Sequence, residues 1–149
     1  MYQSILLAYD GSHQGARALR EGAEIARRCS AKVHLLAVIQ NPTGPGAGEG
    51  FDTSGMVAEA LDHYKGILEL GLQKLRETYQ VEAEGHLLEG DPVERIAGLA
   101  TEVGAQLIVV GHQPLGLLSR WWRGSVGKAL IDNAPCSVLV AISQAGETE

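Results

Sequence analysis

Aromatic side chains are scarce in this 149-residue chain, Phe, Trp and Tyr together making up 5% of it. A ligand box built from stacked rings is therefore not expected. Cysteine is scarcer still. Cys29 and Cys136 are the only two, far apart and in no CxxC or CxxH spacing, so no zinc site is suggested. They read as core thiols of a reducing compartment. Positive charge is in deficit, with 12 Lys and Arg against 18 Asp and Glu and a net charge of −6. That balance weighs against a nucleic-acid surface, which needs clustered basic residues. No apolar run approaches the ~20 residues of a membrane span. The opening Met1-Tyr2-Gln3-Ser4 lacks the basic segment of a secretory signal. The expectation is a cytoplasmic protein that meets small molecules or other proteins, with no nucleic acid and no membrane.

What is present is ordinary globular material: 45% hydrophobic residues, 20% charged, and 19 glycines suited to tight turns. The length allows one domain, taken as residues 1–143 with an acidic tail at 144–149. Short apolar runs alternate with helical stretches, the pattern of a parallel sheet with crossover helices. Ile5–Tyr9 is a strand buried on both faces, broken by Asp10-Gly11-Ser12. Ser12 is placed to cap a helix over His13–Cys29, whose apolar face carries Ala16, Leu19, Ala23 and Ala26. Lys32–Gln40 is the second strand. Residues 41–55 are rich in Gly and Pro and are expected to form a mobile loop.

A long helix over Met56–Tyr79 follows, with Val57, Ala60, Leu61, Tyr64, Leu68, Leu72 and Leu75 at helical spacing. Val81–Leu88 is a half-exposed strand near a sheet edge. Asp91-Pro92 marks a helix start and Gly104 its end near Val103. Gln106–Val110 is the fourth strand, with Gly111 opening a loop. Gly124-Ser125 begins a short helix to Asn133, and Ser137–Ile142 is the last strand. Five strands alternating with four helices make a doubly wound α/β sandwich.

In such folds ligands bind beyond the C-terminal strand ends, where strand order reverses. Asp10, the Val38-Ile39-Gln40 segment and Gly111 stand at three such ends. The helix start at Gly124-Ser125 offers free N–H groups and a favourable dipole for phosphate, with Arg120, Arg123 and Lys128 gathered around it. Asp10 suits a ribose hydroxyl, a divalent metal, or a purely local role in its turn. Other templates fail. A P-loop ending at Gly127-Lys128 would need Gly at Trp122 and Ser or Thr at Ala129. A nucleophile elbow around Ser125 would need Gly at Arg123. No nucleophile, base and oxyanion hole assemble, so no catalytic residue is assigned. His13, His34, His63, His86 and His112 never adopt HxxxH spacing, and only His112, beside a strand end, is kept as a possible ligand contact.

Taken together, the Ile5–Ser12 segment, Gly90-Asp91-Pro92, Leu107–Gly111, Arg123–Val126 and Pro135–Val140 resemble the universal stress protein family over nearly the whole chain. The resemblance implies a Rossmann-like single five-stranded parallel sheet, akin to the adenine nucleotide alpha hydrolases, in order 3-2-1-4-5. It implies a homodimer through the last strand, about Val138–Ile142, and a cytosolic role in stress survival with protein partners unknown. ATP-binding members share Gly, two residues, Gly, nine residues, Gly and Ser or Thr. Gly111, Gly124 and Ser125 match, but Pro114 replaces the second Gly and has neither its N–H nor its conformational freedom.

By similarity Asp10 would meet the ribose or phosphate side, Val38 the adenine through its backbone, and Gly124, Ser125 and Val126 the phosphates, with Ala8 at the adenine-pocket wall. The ligand implied is ATP or AMP, with Mg2+ accompanying ATP. Two readings compete: a nucleotide-binding regulatory protein, and a dimeric interaction module that has lost the nucleotide. An ATP hydrolase, at most a weak one, is the least supported third.

Overall fold

A strand that hydrogen-bonds on both edges and is covered on both faces has no solvent-facing side, so its residues are apolar in succession. The computed structural model, which describes residues 1–11, 13–39, 54–112 and 126–142, places three such strands at the centre. Its elements are β1 (Ser4–Ala8), α1 (His13–Cys29), β2 (Lys32–Ile39), α2 (Ser54–Thr78), β3 (Ala83–Glu89), α3 (Pro92–Val103), β4 (Leu107–His112), α4 (Val126–Asn133) and β5 (Ser137–Ile142). All strand pairs are parallel, and the sheet order is β3-β2-β1-β4-β5.

Strand parity sorts the core into two layers. Odd-numbered residues, among them Ile5, Leu7, Val33, Leu35, Leu107 and Val109, pack with Leu19 and Ala23 of α1 and Leu75 of α2. Even-numbered Leu6, Ala8, Leu36, Val38, Ile108 and Val110 pack with Ile96 and Leu99 of α3 and Leu130 of α4. The period-two alternation of side chains makes this division unavoidable once the register is set.

The helix signals are realised in α1 and α3. Ala16, Leu19, Ala23 and Ala26 are all buried. Asp91 accepts a hydrogen bond from the Glu94 N–H, Pro92 opens α3, and Gly104 ends it in the left-handed conformation. In α2 the residues at helical spacing are unequally covered: Leu61 is 47% exposed, while Tyr64 and Leu75 are buried. The buried stripe centres on Tyr64, Gly71 and Leu75, and Leu61 falls on its flank.

Two strand ends also differ from the sequence pattern. Val81 is not yet in β3, because Gln80 takes a positive φ of 58° and the Val81 N–H closes α2 onto the Leu75 carbonyl at 2.9 Å. Gly111 does not open a loop; β4 continues through it to His112, since Gly111 and His112 pair with Ala141 and Ile142 of β5. Ser54 and Gly55, expected in the Gly/Pro-rich loop, instead belong to α2, which starts two residues before Met56. Residues 41–53, Ser12 and the loop before α4 lie outside the described residues.

Candidate functional site

β1 and β4 are neighbours, yet the helices that follow them lie on opposite faces. α1 covers the odd-residue face and α4 the even-residue face. The chain therefore diverges beyond their C-terminal ends, the arrangement that opens a ligand crevice in doubly wound sheets.

The register aligns the candidate residues across that end. Ala8 pairs with Leu36, which carries Val38 level with Asp10. Leu7 pairs with Val109, which carries Gly111 level with Tyr9. Ala8 and Val38 are fully buried on the even-residue face, in one cluster with Val110 and Leu130. Gly111 is buried within β4 and Asp10 half-buried just past β1. Four of the seven expected site residues, Ala8, Asp10, Val38 and Gly111, are thus brought to one end of the sheet. Val126 is the first residue of α4. Gly124, Ser125 and Pro114 lie outside the described residues, as do Arg120 and Arg123.

Two features support this corner, and only the second was not expected from the residue pattern. The first is the turn itself. Tyr9 extends the ladder by donating its N–H to the Leu36 carbonyl at 2.9 Å, and Gly11 then turns the chain at φ 83°, a conformation that L side chains rarely adopt. The second is Gly15, in the first turn of α1. A Cβ there would stand 2.8 Å from the Tyr9 ring and 3.0 Å from Asp10 Oδ1. The missing side chain is what lets the Tyr9-Asp10 corner sit against the helix. No periodicity marks Gly15 for this role; it emerges only when the helix folds back over the strand end.

Burial, and after it the neighbouring Asp10 carboxylate, push the Tyr9 phenol above its ordinary value. The phenol therefore stays neutral at physiological pH and serves as a packing wall beside the carboxylate. Chemically this end of the sheet offers a carboxylate for hydroxyl groups or a cation, a small apolar wall at Ala8, and the start of α4.

Comparison with known proteins agrees with this architecture. The model of the universal stress protein family matches residues 1–141. A Staphylococcus saprophyticus relative named for that family is 33% identical over 141 residues, covering 93% of this chain and 83% of its own. Among solved structures, a universal stress protein family member from Burkholderia pseudomallei superposes with a TM-score of 0.73 at 28% identity, covering 93% of this chain and 95% of that one. The Archaeoglobus fulgidus universal stress protein in complex with dAMP gives a TM-score of 0.66 at 28% identity, covering 93% and 97%. No described helix is long and apolar enough to cross a membrane. With the sheet order, the diverging strand ends and a family match that spans nearly its whole length, the chain belongs to the universal stress protein family.

Proposed function

We propose that this protein binds an adenine nucleotide, AMP or ATP, in the crevice between the ends of β1 and β4, and that the bound nucleotide regulates its association with other proteins in a stress response. The observation that carries the reading is the divergence of α1 and α4 from neighbouring strands with Asp10 at the mouth, in a chain similar to a protein solved with dAMP. In this reading Asp10 takes the ribose hydroxyls or, with ATP, faces the Mg2+ side of the phosphates. Ala8 leaves room for the base, and the Val38 backbone meets the adenine edge. Gly111 and the Gly124-Ser125-Val126 segment at the start of α4 receive the phosphates, where free N–H groups and the helix dipole favour negative charge.

Pro114 supports the second reading, a nucleotide-free interaction module, because a proline gives no N–H to a phosphate. Calorimetric titration with AMP and with Mg-ATP separates the two. Wild-type binding lost in Gly124→Val, and weakened by about 1–2 kcal/mol in Ser125→Ala, is the expected result. Binding by Pro114→Gly but not by wild type would show that the proline has switched the site off. Absence of heat from all of these proteins rejects nucleotide binding. An Asp10→Asn protein that binds Mg-ATP but loses a measurable turnover would favour the hydrolase reading instead.

A further inference from the structure

The parallel pairing of β2 with β3 places His34 opposite Glu84, and Leu36 opposite His86. All three polar side chains are even-numbered and therefore share one face of the sheet. His34 is almost fully buried. Its Nδ1 lies 3.0 Å from His86 Nε2 and 3.5 Å from Glu84 Oε2. Two imidazole nitrogens and a carboxylate oxygen thus converge, each within 4.8 Å of the others.

Those separations have a meaning beyond a hydrogen bond. Ligands at about 2.0–2.1 Å from a tetrahedral zinc ion stand about 3.3 Å from one another. The two distances from His34 Nδ1 bracket that value. Glu84 is exposed enough for its carboxylate to swing the remaining way, whereas buried His34 supplies a fixed anchor. We propose that His34, Glu84 and His86 form a binding site for a divalent transition-metal ion of the zinc class, with solvent completing the coordination.

The donor set is the appropriate one. Two imidazoles and one carboxylate suit zinc far better than magnesium or calcium, which prefer all-oxygen shells. Burial, followed by the adjacent His86, lowers the His34 pKa, which keeps the ring neutral as a ligand must be. The Lys32 ammonium, 3.8 Å from Glu84 Oε2, is the competing cation, but both side chains are well exposed and a divalent ion displaces it readily.

The site is separate from the proposed nucleotide crevice. His34 and Glu84 lie level with Leu6, and from His34 to Val38 the strand advances about 13 Å; His86 lies level with Ala8 but two strands away from it, on β3. It also escaped the residue pattern for a definite reason. His34 and His86 are far apart in the chain, and only strand register makes them neighbours.

The test uses the full chain, stripped with chelator and free of nucleotide, titrated with Zn2+ against a chromogenic chelator. About one equivalent should bind, with affinity reduced by at least about tenfold in His86→Ala and in Glu84→Gln. His63→Ala, which alters an exposed histidine on α2, should bind as wild type does. Co2+ in place of Zn2+ should give the visible absorption of a low-coordinate nitrogen and oxygen site, lost in His86→Ala. Circular dichroism confirms that each variant is folded. Failure of wild type to bind Zn2+, or undiminished binding by folded His86→Ala and Glu84→Gln, overturns the assignment.

Discussion

A Cβ on Gly15 would compete for space with the Tyr9 ring and the Asp10 carboxylate, and neither can retreat far. Tyr9 is wedged into the odd-residue core, and the Gly11 turn fixes the backbone that follows Asp10. Gly15→Ala should therefore lower stability by about 1–3 kcal/mol, the usual effect of overpacking. It should also weaken AMP binding by displacing Asp10. Thermal unfolding and calorimetry read the two effects separately; wild-type values in both would remove Gly15 from the site. Asp10 itself was legible because a carboxylate directly after an apolar strand is a conspicuous placement. Gly15 was not, since a residue that acts by having no side chain leaves no trace in hydrophobic spacing. The same blindness hid His34 from view among strand residues, because register and not chain spacing supplies its neighbours.

Helix endings decide a good deal at the next scale. α1 ends with Ser30 at φ 52°, and the Ala31 N–H returns to the Ala26 carbonyl at 2.9 Å. This is a closing pattern in which glycine is the favoured residue. An L side chain in the left-handed region is strained, so Ser30→Gly should raise stability by about 0.5–1 kcal/mol after allowing for the greater freedom of glycine in the unfolded chain. Denaturant unfolding measures it, and an unchanged or lower midpoint contradicts the argument. By contrast, α3 already carries its own instructions. Asp91, Pro92 and Gly104 form local signals, and the element matches the expectation from sequence at both ends. The extension of β4 through Gly111 was not readable in that way, because it depends on pairing with β5. Local chemistry announces a cap, whereas a strand end is settled by its neighbour.

At the scale of the whole molecule, the two edges of the sheet are unlike. β3 presents Glu84 and an exposed Gly85, a charged border of the kind that discourages pairing. β5 presents half-buried Val138, Leu139 and Val140 and an Ile142 that is 48% exposed, while Ile131 of neighbouring α4 is 60% exposed. We propose that β5 pairs with β5 of a second copy, an isologous contact that would cover this edge. Val140→Lys should then shift sedimentation from dimer to monomer, and a wild type already monomeric at micromolar concentration would rule the pairing out. The sheet also keeps its two core layers apart. Ile5 belongs to one and Ile96 to the other, so Ile5→Val and Ile96→Val, each costing about 0.5–1.5 kcal/mol, should sum in the double variant to within about 0.3–0.5 kcal/mol. A larger discrepancy in chemical denaturation would mean that strain crosses the sheet. If the layers are insulated in this way, the wall formed by Ala8 and Val38 can drift in sequence, and with it the preference for one ligand over another, while α1 and α2 keep their packing unaltered on the far side.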